Sequence, residues 1–155
     1  MWRSLALGVV TGLRSQLPAA VLAWRQSRHQ LPEDIAGTTR ILRRRGAVPA
    51  LALAAIGELV ADKLPRTPGR LDTGPFLGRV SLGATAGAGI ASALGRSRIL
   101  GAVMGITGAA AGSYAGERYR ALAAERTEVP QVVWAVAEDA AAVTLALAAT
   151  RVRGR

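Results

Sequence analysis

Glu58, Asp62, Glu138 and Asp139 stand inside stretches that are otherwise apolar and rich in small residues. At bilayer depth a carboxylate costs about 2.5–3.5 kcal/mol on insertion scales, so such groups face a bundle interior or a water-filled cavity. Glu58 and Asp62 are four residues apart, which places them on one helical face, and Lys63 follows directly. Glu138 and Asp139 form a second pair in the last apolar run. A lone Arg14 interrupts the first run and is available as their partner. Carboxylates in this setting can relay protons or cations, or they can fix helix register through ion pairs. Paired carboxylates also suit general acid–base work, but no nucleophile or metal-ligand set accompanies them. No catalytic residue, metal site or cofactor is therefore assigned.

The elements that must carry these charges are helices separated by polar connectors. Apolar segments fall at about 4–24, 47–63, 76–94, 99–114 and 129–150, with a basic connector at 25–46. The reading is a single all-α domain over 1–155: a polytopic helical bundle in the cell membrane with about five hydrophobic segments, one or two of them broken or re-entrant. Half of the residues are hydrophobic, yet aromatics make up only 4%, and 18 glycines are interspersed. Helices rich in Gly and Ala pack closely in lipid, where backbones can approach. The first segment begins like a signal peptide, with Arg3 ahead of Leu5–Val10. The polar Arg14-Ser15-Gln16 and the resumed apolar run after Pro18 argue instead for one helix kinked near Pro18. Trp2 and Trp24 then bracket it as interfacial aromatics, about 33 Å apart at the helical rise.

The net charge of +10 suits either nucleic acid or anionic lipid headgroups. Lys63 is the only lysine among 20 basic residues. The arginines lie almost wholly between the apolar runs, as in a polytopic membrane protein. The partner expected is thus a bilayer with anionic headgroups, contacted by Arg40, Arg43, Arg44 and Arg45, and no nucleic acid is expected. With the first connector cytoplasmic, 11 basic residues fall on that side against 8 on the other. This small bias places the N-terminus outside and the C-terminus inside. There is no cysteine, which excludes disulfides and thiolate chemistry. The only histidine, His29, lies in the polar connector without a second ligand nearby.

Glycines at Gly101, Gly105, Gly108, Gly112 and Gly116 repeat at helix-packing spacing, and Gly83 and Gly87 add another pair. Packing within the chain is their first use. Homo-oligomerisation, or docking of a membrane-complex partner, is the second. GAVMGITG at 101–108 is similar to GVVTGLRS at 8–15, which hints at an inverted internal repeat of the kind transporters carry.

GLRSQLP at Gly12–Pro18 and ELVADKLP at Glu58–Pro65 together resemble a family of small bacterial integral membrane proteins of unknown function, domain-of-unknown-function family 4126. The resemblance implies a membrane architecture and singles out Arg14, Pro18, Glu58, Asp62, Lys63 and Pro65, but it implies no activity. The leading functional expectation is a transport- or permeation-like bundle whose polar centre is Arg14, Glu58, Asp62, Lys63, Glu138 and Asp139. The alternative is a structural or assembly subunit that uses the same charges as a lock and the glycine faces for docking. A solvated cavity reaching Glu58 or Glu138 favours transport. Direct Arg14–carboxylate pairing in a dry core favours the structural role.

Overall fold

The computed structural model describes residues 1–31, 44, 46–61, 71–126 and 130–151, excepting the side chains of 61, 124, 126 and 131. Among these residues the protein is all helical: α1 (Trp2–Leu13), α2 (Leu17–Ser27), α3 (Ala47–Ala61), α4 (Thr73–Ala93), α5 (Arg98–Arg126) and α6 (Gln131–Ala149). The five expected segments have become six helices because the first is broken. The break falls at Arg14-Ser15-Gln16, where Arg14 is extended (φ −143°, ψ 102°). Pro18 does not kink a continuing helix. It occupies the first turn of α2, where its missing N–H costs nothing.

Helix directions follow from what each glycine faces. Gly8 lies against Gly105 and Gly12 against Ala109, so α1 and α5 run the same way. Gly83 faces Gly105 and Ala109 while Gly87 faces Gly101, so α4 runs opposite to α5. A methyl on Gly105 would strike the Gly83 carbonyl, and one on Gly112 would strike Val9. Glycine at these positions lets three helices approach to backbone contact, which favours dispersion along their length. Gly108 also faces α1, at Leu5 and Val9, and Gly116 is buried in α5.

α6 returns antiparallel to α5, since Arg120 Nε donates to Glu138 Oε2 at 3.1 Å across a short link. α2 follows the direction of α6. Arg14, just before α2, meets Asp139, and Arg25, near its end, donates to the Leu147 carbonyl at 3.3 Å. The chain therefore reverses between α1 and α2, and Trp2 and Trp24 lie at the same end of the molecule. This overturns the expectation of one kinked helix with a tryptophan at each interface. At about 1.5 Å per residue, α1 and α2 are each about 18 Å long or less, well short of a bilayer core of about 30 Å. The inverted repeat fails on the same geometry, because the two similar motifs sit on helices that run in parallel.

α5 is longer than expected. The apolar segment ends at about 114 in the sequence, yet the helix continues through the polar stretch from Gly116 to Arg126. Arg118 lies one turn beyond Tyr114, donates to its hydroxyl at 2.9 Å and stacks on its ring, and this i,i+4 pairing supports the extension. Two stretches, Arg98–Ala123 in α5 and Val132–Ala149 in α6, are long and apolar enough to cross a membrane, while Ala47–Val60 in α3 is apolar but shorter. Two such helices, rather than five, meet that test among the described residues.

The interior is small and the exterior is large. The core gathers Leu7, Val10, Val21, Leu22 and Ile90 around Ala142, Ala146 and Ala149. Outward faces carry Leu53, Ile56 and Val60 on α3, Ile99, Val103 and Ile106 on α5, and Val132, Val136 and Val143 on α6. Arg14, Arg79 and Glu138 are buried. Exposed Thr85, Thr107 and Thr144 each turn their hydroxyl back to the carbonyl four residues earlier. Each of these hydroxyls thus finds a partner in its own helix.

Candidate functional site at the helix break

A break between two helices leaves unpaired carbonyls at one end and unpaired amides at the other. Here both sets find side-chain partners, most of them from distant parts of the chain. At the closing end of α1, the Leu13 carbonyl accepts from Arg14 NH1 at 3.0 Å. The Gly12 carbonyl accepts from Ser113 Oγ of α5 at 3.5 Å. At the opening end of α2, the Glu58 carboxylate of α3 accepts three bonds. Ser15 N–H and Ser15 Oγ donate to Oε1 at 2.7 Å each, and Gln16 N–H donates to Oε2 at 2.9 Å. A carboxylate at a helix N-terminus and a guanidinium at a C-terminus each oppose the local dipole. The sequence thus places opposite charges at the two ends the break creates.

Arg14 is 1% exposed. Its Nε donates to Asp139 Oδ1 at 2.6 Å, its NH2 lies 2.5 Å from the same oxygen, and its NH1 is 4.0 Å from Glu138 Oε1. Arg120 of α5 completes the second carboxylate at Glu138 Oε2. Arg79 of α4 reaches Glu58 Oε1 at 3.4 Å. The Arg79 side chain is only 8% exposed, and among the described residues its Nε has no hydrogen-bond partner. The outcome is two adjoining clusters, Arg79–Glu58 at the amide end of the break and Arg14–Asp139–Glu138–Arg120 at the carbonyl end.

Four of the sequence-derived residues therefore meet at one place: Arg14, Glu58, Glu138 and Asp139. Arg14 does not pair with Glu58, as a simple ion-pair network would have it. It pairs most closely with Asp139, because Glu58 is taken up by the backbone amides of Ser15 and Gln16. Asp62 and Lys63 lie outside the described residues, as do Arg40, Arg43 and Arg45; Arg44 is exposed just before α3. Arg79 and Arg120 are functional candidates that the sequence reading missed. Arg79 falls near the start of its segment and Arg120 in a polar stretch between segments, and in both places an arginine reads as a headgroup contact. A usable signal was the helical phase of Arg79, four residues ahead of Gly83 and so on the same face of α4. Among the described residues no cluster of three His, Asp or Glu side chains could hold a metal ion. His29 has a backbone role: it adopts φ 54° as the left-handed residue that closes α2, with Gln30 N–H returning to the Arg25 carbonyl at 3.0 Å.

The site thus defines a class: a small helical protein with an apolar exterior, whose first helix is interrupted and whose interruption is sealed by internal ion pairs. The model of the family "Domain of unknown function (DUF4126)" matches residues 2–152, and the chain belongs to that family. The match covers almost the whole chain, beyond the two elements near the N-terminus that first suggested it. No curated protein and no solved structure matches the chain.

Proposed function

We propose that this is a multi-pass membrane protein of permeation or transport type, with the helix break as its working centre and the ion-paired arrangement as its closed state. One observation carries the reading. Irregular backbone with both helix ends pointing inward is gathered against five ionisable side chains drawn from α3, α4, α5 and α6. In membranes, non-helical backbone at depth is tolerated where it is buried in protein or lines a cavity, and broken helices recur at transporter binding sites. The apolar exterior and the two helices long enough to cross support the membrane setting. Asp139, with 19% of its side chain exposed, and Glu58, with 12%, are more accessible than Glu138 and are the sites this reading assigns to proton or cation exchange.

A second reading, a static lock that fixes helix register, is favoured by the direct pairing of the nearly inaccessible Arg14 with Asp139. Its companion idea, partner docking through glycine faces, loses ground because those glycines are occupied inside the chain. Flux of protons and small ions into proteoliposomes, compared between wild type, Glu58→Gln and Asp139→Asn, separates the readings. Transport predicts wild-type flux that falls at least tenfold in one variant while the fold is kept. Folded variants that lose thermal stability and leave every flux unchanged would sink transport and leave the lock.

A further inference from the structure

Among the described residues the two ends of the bundle differ in charge, one basic and the other mixed. At one end lie the start of α1, the end of α2, the turn between α4 and α5, and the end of α6. This end presents Arg3, Arg25, Arg28, Arg96, Arg98 and Arg151, and no described acidic residue. Arg3 stacks on Trp2 at 5.5 Å and Arg25 on Trp24 at 5.1 Å, and both tryptophans are exposed. At the other end Arg118 and Arg120 are accompanied by Asp72, Glu117 and Glu125. Tryptophans and arginines together, at one level, are the chemistry of an anionic headgroup layer.

We infer that α1 and α2 form a re-entrant hairpin that enters and leaves through one membrane face, and that the arginine–tryptophan end sits on anionic phospholipid headgroups of the cytoplasmic leaflet. The inference rests on the membrane reading above and goes beyond it. Arginine bias places the whole basic end inside, so both the start of α1 and the end of α6 are cytoplasmic. This reverses the side that sequence counting assigned to the N-terminus. The hairpin tip, Arg14–Gln16, then stops within the bilayer, which is why its backbone requires Glu58 and Arg14 as caps.

The absence of native cysteine makes the test clean, since each variant carries one thiol. Trp2→Cys, Ser27→Cys and Ser97→Cys mark the basic end, and Thr73→Cys and Pro130→Cys the other. Labelling with a membrane-impermeant maleimide is compared in right-side-out and inside-out vesicles. The expected result is at least tenfold preference of the first three for the inside-out preparation and the reverse for the last two. Labelling of Trp2→Cys and Ser27→Cys from opposite faces would overturn the hairpin. Release of wild type by alkaline carbonate would instead overturn the membrane reading itself, a distinguishable failure. For the lipid partner, spin-labelled phosphatidylglycerol and phosphatidylcholine are compared at the protein surface in mixed vesicles. At least twofold enrichment of phosphatidylglycerol is expected, reduced in a combined Arg25→Gln, Arg28→Gln, Arg98→Gln variant. Equal occupancy by the two lipids would overturn the headgroup assignment.

Discussion

The chain reverses direction tightly at two described places, and the two reversals are built from opposite materials. Between α4 and α5 the turn is self-sufficient. Gly95 takes φ 64°, Gly95 N–H returns to the Ser92 carbonyl at 2.9 Å, and Arg96 N–H returns to the Ala91 carbonyl at 2.8 Å. This is the Schellman arrangement, in which backbone closes backbone and a residue without a Cβ supplies the left-handed step. Between α1 and α2 nothing of the kind occurs. The Arg14 N–H still returns to the Val10 carbonyl at 2.7 Å, but the caps beyond it use side chains, most of them from remote helices and several of them charged. A turn exposed at the bundle's end can lean on water for its remaining groups. A turn among packed helices has to import its partners. The Arg14 reversal is therefore a tertiary feature, encoded in α3, α5 and α6 as much as in its own residues.

The difference can be broken most severely at Arg14. Arg14→Met removes the buried cation beside Asp139 and the donor to the Leu13 carbonyl, while Glu138 keeps Arg120. A loss of about 3–5 kcal/mol is expected, the range for removing one partner of a buried ion pair. Denaturant unfolding in detergent micelles measures it, and a loss below 1 kcal/mol would mean that water already solvates the tip. Glu58→Gln comes next. The amide oxygen can still accept one bond, but the charge at the α2 amide end is gone, so a loss of about 1.5–3 kcal/mol is expected. Combined with Arg79→Gln, it should be less than additive, because Arg79 is buried against Glu58.

The self-capped turn should respond more weakly and locally. Gly95→Ala forces a Cβ into the left-handed region, at a cost of about 1–2 kcal/mol, with no effect on the charges at the tip. The smallest effect runs the other way. His29 occupies the same left-handed role at the end of α2 that Gly95 occupies after α4, so His29→Gly should stabilise by up to about 1 kcal/mol. If His29→Gly destabilises instead, the imidazole has a partner beyond its backbone duty, and the equivalence of the two caps fails.

Much of the charged centre was legible because its residue types contradict their surroundings. An arginine or carboxylate in an Ala/Leu/Val run has few places to go, and Arg14, Glu58, Glu138 and Asp139 do converge. Their pairing was not legible. Glu58 answers to the amides of Ser15 and Gln16, a demand that exists only once the helix has broken. The break itself was masked by Pro18, which draws attention as a helix breaker although it serves as a helix starter. The reversal of α2 depends on Arg25 reaching the end of α6, a contact across more than a hundred residues that no local pattern announces. Arg79 and Arg120 were hidden by position, since arginines near segment ends or between segments have a ready explanation at the lipid surface. The glycine spacing disclosed close packing of the chain between Gly83 and Gly112, but not that α1 would lie against the same helix.

The threefold meeting at Gly105 has a mechanical consequence. With α1 on one side and α4 on the other, both at backbone contact, α5 cannot turn about its axis without driving a side chain into a carbonyl. Nor can it slide by less than a full repeat of the glycine pattern. α1, α4 and α5 therefore interlock as one frame, against which α6 packs buried Ala142, Ala146 and Ala149 beside Leu7 and Val10, while the ion pairs tie in Glu58 of α3 and Asp139 of α6. On the transport proposal, opening the seal around Arg14 would displace α3, carrying Glu58, or α6, carrying Asp139, against that frame.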